Sequence, residues 1–410
     1  MSYCAFACGA VTALFLISPV HVASQELTEK EVLRRFAEEN QRVRALGARV
    51  EVARAESRIR TLLPTPSISY SREDAITKED YLLVEQRIPV SGRLGLLRRA
   101  GDASVNVRRQ ESNYALHQLR SDLRLAFYEL LLVQQREELI RKGQSNLQEL
   151  VRVLGERERE GEGSTFDRLR AERELADIQA DLISGEATTA RVRTQVASFF
   201  APGMEAGSLL ASGQVDISRT LPDLATLIAR ALETRGDHRA QEEQLQQFRW
   251  ERRAAERLRV PEPVVSGGMK RVQEPLGISD TGHILSVMIP FPLFNRSRTE
   301  AALAQAAYQR TQAERQALGQ QIASEVKAAY VTTELRRRLA GEYRQKVGEK
   351  DIELTRVAQF AYQEGEHRIL ELLDAYRVTL SSQLRVLDLV AAAKQAEIEL
   401  DRAVGEEVFP

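Results

Sequence analysis

The chain has 410 residues, 29% of them charged and only 6% aromatic, with a formal net charge of -1. That balance gives no basic footprint for nucleic acid, and a charge-rich, aromatic-poor chain suits long solvated helices better than a compact core. The two cysteines, Cys4 and Cys8, fall in an apolar leader, so neither a disulfide frame nor a thiolate metal site is expected in a processed chain.

Residues 1–24 read as a secretory signal. An apolar stretch from Ala5 to Val20 precedes the small residues Val22-Ala23-Ser24, and cleavage is expected after Ser24. No later segment is apolar for the roughly 18 residues that a spanning helix needs, which leaves a periplasmic, secreted or barrel protein.

Residues 27–62 carry Leu27, Val32, Leu33, Phe36, Val43, Leu46 and Val50 at helical spacing and predict one amphipathic helix that Pro64 ends. A hairpin follows, with strands over 67–72 and 81–88 and a charged turn over 73–80. Leu82, Val84 and Ile88 are expected on one face and Tyr81, Glu85 and Arg87 on the other, unless the register slips by one and inverts the faces. From Ser91 to Ala201 there is no proline, and Leu116, Leu119, Leu123, Phe127 and Leu130, and later Leu147, Leu150 and Leu154, step by three and four as in a coiled-coil seam. A helix over 93–158 would extend roughly 100 Å. Gly161 and Gly163 interrupt it as turn residues, so the chain is expected to double back there.

The same order then returns. Pro64, Pro66 and Ser69 recur as Pro261, Pro263 and Ser266, Ile88-Pro89 as Ile289-Pro290, and Glu160-Gly161-Glu162 as Glu364-Gly365-Glu366, with Ala171 and Ala375 equally spaced behind the two glycines. Self-similarity of this length indicates a duplicated unit. The expected organisation is a signal peptide (1–24), a first repeat of helix, hairpin, long helix and helix (25–205), a linker (206–220) and a second repeat (221–410). The second hairpin is expected over 264–272 and 283–289. Two strand pairs in one exported chain cannot close a barrel alone, because a lipid-exposed sheet edge leaves backbone groups unpaired. Eight strands from two copies and twelve from three both satisfy that requirement.

With the "RIPVSGRLGLLRRAG" stretch at 87–101, "IPFPLFNRSRTEAALAQA" at 289–306 and the two glycine turns, the chain resembles the TolC-like outer-membrane efflux proteins over nearly all of its mature length. The resemblance implies a mainly α fold with a small β part: a homotrimer in which long helix pairs form an α-helical barrel joined to a twelve-stranded outer-membrane β-barrel, four strands per chain. It implies a passive exit duct of a tripartite efflux pump or type I secretion system for drugs or metal ions, placed in outer-membrane lipid and reaching into the periplasm. Its partners would be a periplasmic adaptor protein and an inner-membrane pump of RND or ABC type.

By the same resemblance, Glu371 and Asp374 would ring a periplasmic aperture, where three copies would crowd six carboxylates, raise their pKa values and attract cations. Tyr362, Asp167 and His367 would form the links that hold the tip shut, a protonated His367 pairing with Asp167 at low pH. Gly161 and Gly365 would form the adaptor-docking turns. No nucleophile elbow, P-loop or dinucleotide turn is present, so no enzyme activity and no cofactor are expected. The rival reading is a periplasmic coiled-coil adaptor or scaffold; it lacks the lipoyl-like β segment that an adaptor would carry between its helices.

Overall fold

The computed structural model describes residues 25–200, 206–275, 277–291, 298–366 and 368–409, without the side chains of Gln25, Ser208 and Glu349. The leader, the 292–297 part of the second family stretch and His367 lie outside these residues.

The first helical segment breaks where a single helix was expected. Strand β1 (Gln25–Leu27) is followed by α1 (Glu29–Glu39) and α2 (Gln41–Ile59), with Asn40 extended between the helices at φ -70°, ψ 123°. The Asn40 amide caps α2 by accepting from the Arg42 and Val43 N–H groups at 2.7 and 3.2 Å, and its Nδ2 donates to the Phe199 carbonyl at 2.6 Å. The apolar period runs through the break because both segments serve neighbouring parts of the protein core. Leu27 belongs to β1, which pairs in parallel with the short strand β4 (Leu209–Ala211) inside the segment read as a linker.

The first hairpin, β2 (Ser67–Asp74) and β3 (Lys78–Arg87), is longer than expected, and its connection shrinks to residues 75–77. The charges of 73–80, read as a turn, stand on the strands. Arg72 faces Asp80 at 3.7 Å and Lys78 faces Asp74 at 3.8 Å, while Glu79, opposite Glu73, is neutralised by Lys270 at 2.6 Å. In the second hairpin, β5 (Val264–Gln273) and β6 (Ser279–Met288), the last strand starts at Ser279 rather than His283.

The four strands form one antiparallel sheet in the order β2-β3-β5-β6, and β2 and β6 are its edges. Gly268 permits the closest approach at the centre, since a Cβ there would lie 1.9 Å from the Leu82 carbonyl oxygen. The register places Ile68, Tyr70, Leu82, Val84, Val265, Met269, Leu285 and Val287 on one face. Ile68 and Leu285 there are 74% and 81% exposed, so this face is apolar and unpacked. Tyr81, Glu85 and Arg87 share the other face with Ser69, Ser266, Lys270 and Ser286.

Below the sheet, α3 (Arg93–Arg159) and α7 (Arg298–Gln363) have 67 and 66 residues, each roughly 100 Å long. Helix α5 (Leu224–Thr234) meets α6 (Gly236–Glu256) at a second break, Arg235, with φ -63°, ψ 123°. Helix α2 packs on α3, α3 on α6 and α6 on α7, so each strand sits above its own helix in the same lateral order. Farther down, α3 pairs with α4 (Thr165–Ala197) and α7 with α8 (Ile369–Val404).

The middle of the shaft holds an apolar core of Val32, Phe36, Leu123, Phe127, Val192 and Ile398. Beside it Arg124 bridges Glu29 at 2.5 Å and Asp401 at 2.6 Å, and Tyr128 donates to Glu29 at 2.6 Å. Asp401 is also held by the Val408 N–H at 2.9 Å. Burial raises the Asp401 carboxyl to about 6 against the pull of Arg124.

Candidate functional site: the two helix turns

Both long helices end in the same backbone device. Gly161 and Gly365 lie in the left-handed region at φ 79° and 78°. In each turn the residue after the glycine reaches back to the last helical turn, Glu162 N–H to the Arg157 carbonyl and Glu366 N–H to the Ala361 carbonyl, both at 2.9 Å. This pattern satisfies carbonyls at the helix end and reverses the chain, and only glycine enters that conformation without strain. Gly163 is tight for a different reason: a Cβ there would come 2.7 Å from the Glu158 backbone nitrogen.

Beyond the turns, α4 starts with Ser164, whose hydroxyl accepts from the Phe166 N–H at 3.2 Å, and α8 starts behind Arg368. Asp167 and Glu371 each occupy the first turn of a helix, where the backbone dipole favours a carboxylate. On α8 the residues Ile369, Leu372, Leu373 and Ala375 are buried against α3, α4 and α7, and full burial stabilises a Leu or Ile side chain by about 1.5–3 kcal/mol. Fixing that stripe inward leaves Glu371 and Asp374 on the exposed side of α8.

Tyr362 is half-buried at the end of α7, and the guanidinium of Arg157 on α3 lies 6.0 Å from its ring centre. Burial raises the Tyr362 hydroxyl; Arg157 opposes that rise and Asp167 adds to it. Tyr362 and Asp167 are therefore within electrostatic reach of each other, with Arg157 between the elements as a residue that sequence reading missed. His367 lies outside the described residues. The first turn is further braced by Glu158, which accepts from Thr165 at 2.6 Å and from Arg168 at 2.5 Å. These bonds hold the Glu158 carboxyl below the usual range.

The two helix hairpins share one buried apolar cluster, with Leu147 and Leu150 of α3 and Ile178 of α4 packed with Leu372 and Leu373 of α8. A groove of about 720 Å³ runs along their contact, lined by Leu147, Ile178 and Leu380 together with Lys142, Asp177 and Asp351. Arg377 of α8 crosses to Glu174 of α4 at 2.8 Å. Among the described residues, no group of three or more His, Cys, Asp or Glu side chains is arranged to hold a metal ion.

A long helical shaft that carries a small open sheet on one end and glycine turns on the other has the fold of outer-membrane channels. The open-state MtrE outer membrane channel of Neisseria gonorrhoeae matches with a TM-score of 0.73 at 16% identity, over 96% of this chain and 94% of that one. The CmeC outer membrane channel of Campylobacter jejuni matches at 0.72 and 14%, over 100% and 96%. The outer membrane protein VceC of Vibrio cholerae matches at 0.71 and 15%, over 92% and 96%. No curated protein matches the sequence. Residues 227–406 fit the family model described as outer membrane efflux protein.

Proposed function

We propose that the chain is one third of a passive outer-membrane duct, a homotrimer whose sheets join edge to edge into a twelve-stranded barrel above a helical tunnel. The observation that carries this reading is the four-stranded sheet with unpaired edges β2 and β6 and an exposed apolar face. Strands β3, β5 and β6 have 10 residues each, a length that crosses a bilayer when tilted. No described helix is long and apolar enough to cross a membrane, so a β-barrel is the part of this chain suited to insertion. Chain segments 25–205 and 221–410 serve as two repeats, linked by 206–220, that supply two strands each.

In this reading the apolar face meets lipid and the face of Tyr81, Glu85, Arg87 and Lys270 lines the lumen. Glu371 and Asp374 ring the periplasmic aperture, Tyr362, Arg157 and Asp167 restrain it, and the Gly161 and Gly365 turns meet a periplasmic adaptor coupled to an inner-membrane pump. Energy comes from that pump, and the wall supplies shape and charge rather than chemistry. Small molecules such as drugs or metal ions are the proposed cargo.

Membrane fractionation followed by mass measurement of the detergent-extracted protein tests the reading. A trimer in the outer-membrane fraction is expected. A monomer stable in detergent-free buffer contradicts it and favours the adaptor reading.

A further inference from the structure

The place where the sheet meets the helices has a layered chemistry that the duct reading does not use. Exposed apolar residues come first: Ile59, Leu62 and Leu63 before β2, Val90 after β3, and Ile289 and Phe291 after β6, with Leu63 69% and Phe291 74% exposed. Directly below them the helix ends carry arginines: Arg58 and Arg60 on the α2 end, Arg93, Arg98 and Arg99 on α3, Arg253, Arg257 and Arg259 at and beyond the end of α6. The opposite end of the sheet carries Glu73, Asp74, Glu79, Asp80, Glu274 and Asp280, interleaved with Arg72, Lys78, Lys270 and Arg271 and partly paired with them. The far end of the strands is thus mixed in sign and partly paired, whereas the junction keeps arginines without a partner, although the whole chain is close to neutral.

Many arginines of the shaft are neutralised one turn away, as Arg34 is by Glu31 and Glu38, and Arg152 by Glu149 and Glu156. Arg58, Arg98, Arg257 and Arg259 are different. They are exposed and make no ion pair among the described residues. Between them Trp250, the chain's single tryptophan, is fixed by two cations, with Arg99 and Arg253 each 4.9 Å from its ring. An unpaired cation next to an exposed apolar band matches a surface that presents phosphates at the edge of hydrocarbon, and an amphipathic indole suits the same depth.

We propose that this strand–helix junction is a collar that binds the anionic phosphate headgroups of the lipid leaflet nearest the helices, through Arg58, Arg98, Arg257 and Arg259, with Trp250 as its fixed interfacial ring. The proposal rests on the reading that the sheet lies in a bilayer. The headgroup contacts set how deep the barrel sits and hold the shaft upright, because moving along the membrane normal would pull guanidinium groups away from phosphates or push them into hydrocarbon.

The test uses the full-length oligomer extracted from membranes, with bound lipid measured by native mass spectrometry after exchange into mixed micelles of phosphatidylglycerol and phosphatidylcholine. Wild-type protein is expected to retain phosphatidylglycerol in preference, less so at high salt. R58Q/R98Q/R257Q/R259Q should bind it at least about tenfold more weakly, since each cation near an anionic surface contributes measurably. The matching quadruple Arg→Lys variant should keep the preference. Equal retention by the Gln variant overturns the proposal, as does displacement of the lipid by millimolar inorganic phosphate. A changed ion selectivity of the Gln variant with unaltered lipid retention also overturns it and places these arginines in the conduit. A wild-type trimer in the outer membrane without headgroup preference overturns the collar alone, whereas a soluble wild-type monomer overturns the duct reading as well.

Discussion

Arg377 on α8 grips Glu174 on α4 with two parallel bonds, Nε at 3.1 Å to one carboxylate oxygen and Nη2 at 2.8 Å to the other. It ties the two helix hairpins across a groove lined by both apolar and charged side chains. Glu174 raises the Arg377 pKa, and nearby Asp374 adds to the effect. The forked geometry favours this pair over an ordinary surface contact, but Arg377 is 57% exposed, which limits its strength.

Breaking that tie should loosen the tip. Arg377→Ala is expected to shift the closed–open balance by about 1 kcal/mol or less, up to about fivefold in open population. Single-channel conductance in planar bilayers reads this directly. An Arg377→Ala/Glu174→Ala double variant should add little to either single change, because the two residues act as one unit; additive effects would show that they act separately.

Asn40 supports a break rather than a helix. Asn40→Ala removes the α2 cap and the bond to Phe199, and about 1–2 kcal/mol of stability should go with them. The loss should appear as a lower dissociation temperature of the detergent-solubilised oligomer. Asn40→Asp keeps the cap but cannot donate to Phe199 when ionised, so it should fall between wild type and Ala.

The buried Asp401 makes the middle of the shaft sensitive to pH. Its folded value of about 6 lies above the ordinary 3.8, so the folded state holds this proton more tightly than the unfolded one. The resulting stabilisation is fully present below about pH 4 and is lost as pH rises through about 6. Asp401→Asn abolishes this titration. Thermal midpoints measured at pH 5 and pH 7.5 should drop less, or not at all, in the variant than in wild type; an identical pH slope in both proteins would contradict the assignment.

The left-handed glycines offer a local test of the turns. Gly365→Ala meets no neighbouring atom within 4 Å, so its cost is backbone strain alone, about 1–2 kcal/mol. Restricted proteolysis of the oligomer should cut faster near residue 365 in this variant, with the sheet end unaffected.

Much of this architecture is legible in residue order. Proline-free stretches mark α3 and α7, and Gly161 and Gly365 fall in the turns because few other residues tolerate that backbone. What escaped reading depends on distant partners. The break at Asn40 is completed by Phe199, 159 positions away, and a three-residue strand such as β1 is too short to show a period. Charges over 73–80 looked like a turn because their cross-strand neutralisation is invisible in one dimension. Arg157 was missed beside Tyr362 for the same reason: nothing in its local spacing announces a ring from another helix hairpin.

The central claim is that β2 of one copy pairs with β6 of another. Cysteine pairs test it most directly, since residues 25–410 contain no native cysteine. Ser69→Cys in β2 can be combined in turn with Cys at Gly282, Ile284, Ser286 and Met288, which share its face of the sheet on β6. In intact outer membranes at least one pair should oxidise to a ladder that ends at the trimer and collapses on reduction. Monomers throughout the series, or a ladder ending at two copies, would contradict closure of a three-chain barrel.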